Sequence, residues 1–392
     1  MSLLEKFAAA RQLKSGLGNA GKDPTNVVFE RLNSATEGIV NGRETILAGT
    51  NNYLGLTFDP ACVAAGVEAM QSLGTGTTGS RMANGSYASH GALEADLAEH
   101  FQCANAMVFS TGYAANLGVL AALLAKGDAV LLDSDAHASL YDGCRMSDAD
   151  IYRFKHNDVK SLERRIARLG DRAGRCLIVV EGMYSVLGDC APLKEIVEIK
   201  ERYGATLLVD EAHSLGVFGE RGCGVAEAQG VLDKVDFIVG TFSKSLGAMG
   251  GFCVSNHDVL GLFRYVSRPF MFTASPSPAV MATTREALKQ LRTRPELKET
   301  LWSNAKLLYR GLEQLGFELG PEISPLVAVR CKDRQTALEQ WNQLLEAGVY
   351  VNMMLPPATP GGASFLRCSI SAAHTPDQIS TIIGKFAELN NS

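Results

Sequence analysis

Residues 205–251 read ATLLVDEAHSLGVFGERGCGVAEAQGVLDKVDFIVGTFSKSLGAMGG, and two mainly apolar runs within them look like buried strands. The first, Ala205 to Val209, ends in Asp210-Glu211-Ala212-His213; the second, Val235 to Val239, ends in Gly240-Thr241-Phe242-Ser243-Lys244. Continuous apolar runs mark strands covered on both faces of a parallel sheet, and the carboxyl edge of such a sheet is where ligands bind. An acid, an imidazole and a lysine are therefore expected to converge on one crevice.

Working outward, runs of the same kind recur at Ala106–Phe109, Ala129–Leu132, Ile151–Phe154, Leu177–Val180 and Phe252–Val254, alternating with helical patterns such as Val159–Leu169 and Leu193–Tyr203. This alternation predicts an α/β fold with a mostly parallel central sheet and helices on both faces. Ser110-Thr111-Gly112-Tyr113 follows one such run and opens a helix, whose first N–H groups can bind phosphate, although the same pattern also serves as an ordinary N-cap. His137 follows another run. A lone histidine at a strand end is usually structural, but Ser110, Ser185, Asp210, His213 and Lys244 at neighbouring strand ends favour a site.

The lysine suggests the chemistry. Behind an apolar strand and among glycines, an amine loses solvation and its pKa falls, which suits Schiff-base formation. Thr241 and Ser243 flank it with hydroxyls that can hold an anion. Pyridoxal phosphate needs such a lysine and a carboxylate on its ring nitrogen to keep the pyridinium protonated, and Asp210 can be that carboxylate.

The rest of the chain fits a small-molecule enzyme. Its 392 residues are 46% apolar, and 37 basic against 42 acidic residues give a net charge of -5, with no basic excess for nucleic acid. Nine cysteines without a C-x-x-C pair read as reduced thiols, and with no secretory leader in MSLLEKFAAARQLKSG they place the protein in the cytoplasm. No segment reads as a membrane anchor; the apolar stretch from Gly112 to Ala125 is too short and contains Asn116. Residues 3–14 have the pattern of an amphipathic helix, followed by a polar link at 15–25. Residues 74–86, GTGTTGSRMANGS, form a small-residue loop that reads equally as flexible surface or as a close approach to a ligand. Beyond Thr273 the pattern turns to two long helices and then mixed strands and helices. The expected division is an N-terminal helix and arm (1–45), a large cofactor-binding domain (46–275) and a small α+β domain (276–392).

Ten segments, taken in order, resemble the α-oxoamine synthases, which are fold type I pyridoxal phosphate enzymes: GTNNYLGL (49–56), GTTGSRMANG (76–85), FSTGYAANLG (109–118), DAHASLYDG (135–143), EGMYSVLGDCAPL (181–193), LVDEAHSLGVFG (208–219), GTFSKSLGAMGG (240–251), RPFMFTAS (268–275), PPATPGG (356–362) and FLRCSISAAHT (365–375). The resemblance implies that Lys244 is the Schiff-base lysine, that Asp210 pairs with the ring nitrogen and that His137 stacks on the ring. It assigns His213 and Ser185 to the ring hydroxyl and Gly112, Tyr113, Thr241 and Ser243 to the phosphate. Thr273 and Ala274 would reach in from the second subunit of a homodimer with shared sites. Asn52, Tyr53, Thr359 and Arg367 map onto substrate-contacting positions, Arg367 suiting a carboxylate through two hydrogen bonds.

The implied reaction is decarboxylative condensation of an amino acid with an acyl-CoA, and the branch most resembled uses L-serine and palmitoyl-CoA to give 3-ketosphinganine. One position departs from that branch: the arginine it carries immediately before PPATP is Leu355 here. Either Arg367 and His137 suffice for the carboxylate, or the amino acid is another, such as alanine or glycine. A silent subunit of the same fold would lack the lysine, whereas Lys244 is present; an aminotransferase or lyase would share the sheet-edge residues.

Overall fold

A computed structural model describes residues 3–19 and 23–390. Its strands are, in chain order, β1 (Phe29–Leu32), β2 (Glu37–Val40), β3 (Arg43–Leu47), β4 (Asn105–Phe109), β5 (Ala129–Asp133), β6 (Asp150–Phe154), β7 (Cys176–Glu181), β8 (Thr206–Asp210), β9 (Phe237–Thr241), β10 (Gly251–Ser255), β11 (Leu326–Cys331), β12 (Val349–Tyr350), β13 (Asn352–Met354) and β14 (Ser364–Ser369). The described residues fall into two compact units, one of Asn52–Ser185 with Asp189–Glu299, the other drawn from Met1–Asn51, Val186–Gly188 and Thr300–Ser392.

In the first unit all seven apolar runs are strands of one sheet, ordered β4-β10-β9-β8-β7-β5-β6. Pairing from β9 through β8, β7 and β5 to β6 is parallel, and only β10 runs antiparallel, between β9 and β4. Every residue of β5, β7, β9 and β10 is buried, which explains why these runs carry no polar alternation. Each Val, Leu or Ile so buried contributes about 1.5–3 kcal/mol of transfer free energy. The helix Leu193–Tyr203 turns Leu193, Ile196, Val197 and Ile199 inward and stops at Gly204, whose φ of 66° is one that L side chains rarely adopt. A groove of about 650 Å³ lies beside the helices Pro60–Leu73 and Pro278–Thr293, where Arg285 pairs with Asp96 and Lys289 with Glu286.

The second unit holds two small sheets. Strands β1, β2 and β3 continue into β12, with Ile46 opposite Val349, and β11-β14-β13 is antiparallel. Their core contains Leu308, Val327, Leu366, Phe386 and Trp341, whose indole N–H donates to the Val351 carbonyl at 2.9 Å. Pairing of β3 with β12 groups the N-terminal strands with the C-terminal segment, so the chain divides at Asn51/Asn52 and Glu299/Thr300 rather than at 45/46 and 275/276.

The N-terminal segment also differs from its expected form. A turn of 3-10 helix at Glu5–Phe7 leads into an α-helix at Ala8–Asn19, so 15–19 of the expected link are helical, while 20–22 lie outside the described residues. A glycine inside a helix costs only about 1 kcal/mol, and Gly16 and Gly18 are both tolerated. Leu3, Leu4 and Phe7 are exposed. Among the described residues no helix is long and apolar enough to cross a membrane, and none of the nine cysteines is in a disulfide.

Candidate active site

Strands β8 and β9 end side by side, and their last residues line a cavity of about 270 Å³ with His213 and Lys244. Asp210, 4% exposed, accepts from two neutral donors: the Asn116 amide reaches Oδ2 at 2.7 Å and the Ala212 N–H reaches Oδ1 at 2.9 Å. Asn116 also donates to Ser139 Oγ at 2.9 Å, which fixes the amide. Because these donors are neutral, a cationic N–H such as that of a pyridinium can pair with the carboxylate. His213 is buried, with Nδ1 2.8 Å from the Tyr53 hydroxyl.

At the other end of the cavity the helix Gly112–Leu123 begins, capped by Thr111, whose hydroxyl accepts from Ala114 N at 3.0 Å. A side chain at Gly112 would meet Thr241 Cβ at 2.8 Å, and one at Gly251 would meet Gly112 N and Cα at 2.6 Å. Backbone therefore comes as close as it can to the helix N-terminus, leaving N–H groups and the hydroxyls of Thr241 and Ser243, 2.9 Å apart, to receive an anion. Thr241 also donates to the Gly250 carbonyl at 2.9 Å. Tyr113, beside them, donates to Asp142 Oδ2 at 2.6 Å.

His137 caps the helix Ala138–Arg145: its Nδ1 accepts from Ser139 N at 3.2 Å and lies 2.7 Å from Ser139 Oγ. An accepting Nδ1 assigns the proton of the neutral ring to Nε2. The residue is exposed, yet surrounding protein mass desolvates the ring and lowers its pKa; Asp210 raises it and Lys244 lowers it further. The His137 N–H donates to Glu181 Oε1 at 2.6 Å. Glu181, at the end of β7 opposite Asp210, is buried, and burial followed by the Asp210 charge pushes its carboxyl well above the usual range.

Gly112, Tyr113, His137, Asp210, His213, Thr241, Ser243 and Lys244 thus share one cavity. Asn116, Ser139, Glu181 and Met249 line it too and were not expected there. Ser185, Thr273 and Ala274 are not among its lining residues. Asn52 is buried, its amide donating to Thr57 Oγ1 at 2.7 Å. Thr359 and Arg367 belong to the second unit. The Thr359 hydroxyl donates to the Ala363 carbonyl at 2.5 Å. Arg367, 5% exposed on β14, donates to Asn51 Oδ1 at 3.2 Å and lines a cavity with Tyr350 and Asn352. Leu355 is half-buried against the core of that unit.

The sequence matches the family model for aminotransferase class I and II over residues 43–386. The chain is 54% identical over 389 residues to the serine palmitoyltransferase of Caulobacter vibrioides, covering 99% of this chain and 96% of that one. The chain belongs to the aminotransferase class I and II family. Within it, it is an α-oxoamine synthase of fold type I. It is also 50% identical over 387 residues to the serine palmitoyltransferase of Sphingomonas paucimobilis, covering 98% of this chain and 92% of that one. A solved structure described as SPT with PLP internal aldimine superimposes with a TM-score of 0.97 at 48% identity, covering 100% of this chain and 99% of that chain. The members of this family therefore include relatives that carry a cofactor of the kind this cavity fits.

Proposed function

We propose that this α-oxoamine synthase condenses L-serine with palmitoyl-CoA, using pyridoxal 5'-phosphate, to give 3-ketosphinganine, CoA and carbon dioxide. The observation that carries the reading is the buried Asp210 carboxylate, held by Asn116 and Ala212 in the same cavity as Lys244 and His137. Bound there, the cofactor supplies an electron sink for the carbanion at the amino-acid Cα. The residues supply the rest. Lys244 Nζ takes the Cα proton as general base and later returns one to the product. Asp210 accepts the ring N–H. His137 would stack on the ring and donate from Nε2 to the substrate carboxylate, holding that group in place for its loss as carbon dioxide. The helix N-terminus at Gly112 and Tyr113, with Thr241 and Ser243, holds the phosphate. His213 and Ser185 take the ring hydroxyl.

Asn52, Tyr53, Thr359 and Arg367 are the substrate contacts of this reading. With a half-buried leucine at 355 and no guanidinium at that position, Arg367 and His137 are the groups left for carboxylate recognition. Thr273 and Ala274 act on the other subunit's site in a homodimer, and the protein works in the cytoplasm. The test is CoA release from a panel of amino acids against acyl-CoAs of rising chain length. Serine with palmitoyl-CoA is expected to give the highest kcat/KM; no release with serine and any long-chain acyl-CoA overturns the substrate pair.

A further inference from the structure

Outside the cavity lies a second set of buried ionisable groups that the chemistry above does not use. Strand β5 ends at Asp133, fully buried, and the turn that follows leads to His137. Two residues beyond β6, His156 sits between two carboxylates, with Nδ1 2.9 Å from Asp133 Oδ1 and Nε2 2.8 Å from Asp189 Oδ2. A ring with both nitrogens on carboxylates must donate from both and is an imidazolium. Burial opposes that charge, but hydrogen bonds and attraction from Asp133 and Asp189 outweigh it and push the pKa up to about 10; the other group facing the ring is Tyr184, edge-on with centroids 4.4 Å apart.

Asp133 opens the loop that reaches the cavity at His137, and Asp189 closes the turn that carries Ser185, assigned to the ring hydroxyl in the reading above. Asp133 Oδ1 also accepts from Asp135 N at 2.9 Å, Ser134 Oγ accepts from His156 N at 3.1 Å, and Tyr141 closes the turn on the Ser134 carbonyl at 2.9 Å. Asp189 ends the turn that carries Ser185: its carbonyl accepts from Tyr184 N at 2.8 Å, and Asn157 ties its carboxylate at 2.9 Å and the Cys190 carbonyl at 3.1 Å. We propose that His156 is a positioning residue, a charged clasp that joins the loop bearing His137 to the loop bearing Ser185 and so sets both groups against the bound cofactor. The clasp rests on the pyridoxal phosphate reading above. Displacing a positioned group by about 1 Å costs on the order of 10²-fold in rate.

The test compares wild type with His156→Gln, which keeps a donor for only one carboxylate, and with the milder Asp189→Asn. Purified apo-proteins are titrated with pyridoxal phosphate, following the dissociation constant and the visible circular dichroism of the bound cofactor, and kcat and KM for the amino acid are then measured. Expected are a dissociation constant raised about tenfold, a changed dichroic band, and kcat lowered 30- to 100-fold with KM within about threefold for His156→Gln, with smaller changes in the same directions for Asp189→Asn. Wild-type binding constant, dichroism and kcat in the folded variants, even with a lower Tm, would overturn the clasp. If His156→Gln does not fold, Asp189→Asn decides on the same readouts. A wild-type protein that binds no pyridoxal phosphate would instead overturn the cofactor reading, so the two failures are distinct.

Discussion

Asp210 and Asp133 are the same residue at the ends of two strands of one sheet, both buried, and they do opposite things. Asp210 accepts from an amide and a backbone N–H, both neutral. Asp133 faces the His156 imidazolium, so its charge is consumed within the protein. The partner, not the carboxylate, decides which strand end becomes chemistry and which becomes scaffold.

Substitutions on the Asp210 side should remove function without unfolding. Lys244→Ala is expected to abolish turnover and the visible absorbance of lysine-bound cofactor while thermal melting stays near wild type; retained activity would break the assignment of Lys244. Asp210→Asn should still bind pyridoxal phosphate yet slow exchange of the amino-acid Cα proton about 10²-fold or more, as loss of a preorganised electrostatic partner does. An unchanged exchange rate, followed by deuterium loss in NMR, would contradict it. Asn116→Ala removes one donor from a buried carboxylate, worth about 1–3 kcal/mol, and should weaken cofactor binding roughly 5- to 150-fold by equilibrium titration. Binding at wild-type strength would mean that the amide does not support Asp210.

On the Asp133 side the expected effect is on stability and depends on pH. The folded pKa of His156 is raised from 6.5 to about 10, so its contribution is complete below pH 6.5, declines as pH rises and is lost above about 10. The gap in Tm between wild type and His156→Gln should therefore be widest at or below pH 6.5 and close toward pH 10. A gap that does not vary with pH would mean that the ring is neutral in the fold.

The sheet was legible because burial on both faces forces unbroken apolar runs, and each run ends where its chemistry begins. Eight of the expected site residues sit at such ends or one turn beyond and reach the cavity. Glu181 had a visible signal, an acid directly after the apolar run Leu177–Val180, and so did Asn116, an amide inside an otherwise apolar helix that has to find a partner when buried. What the sequence hid was pairing at long range. The match of Ile46 with Val349 leaves no periodicity in either segment, and it groups residues 29–45 of the expected arm and 46–47 of the expected large domain with the C-terminal segment. Ser139 gave no signal at all, because its place beside Asn116 follows from how two helices meet.

The contact of Gly251 with Gly112 also sets a schedule. Strand β10 separates β4 from β9, so the anion-binding end of the cavity lacks a wall until residues 251–255 have left the ribosome. At about 5–20 residues per second, the stretch from Gly112 to Gly251 takes roughly seven to thirty seconds to synthesise. For that interval the helix N-terminus exists without its seat, and cofactor capture has to follow translation of the large unit's sheet rather than accompany it.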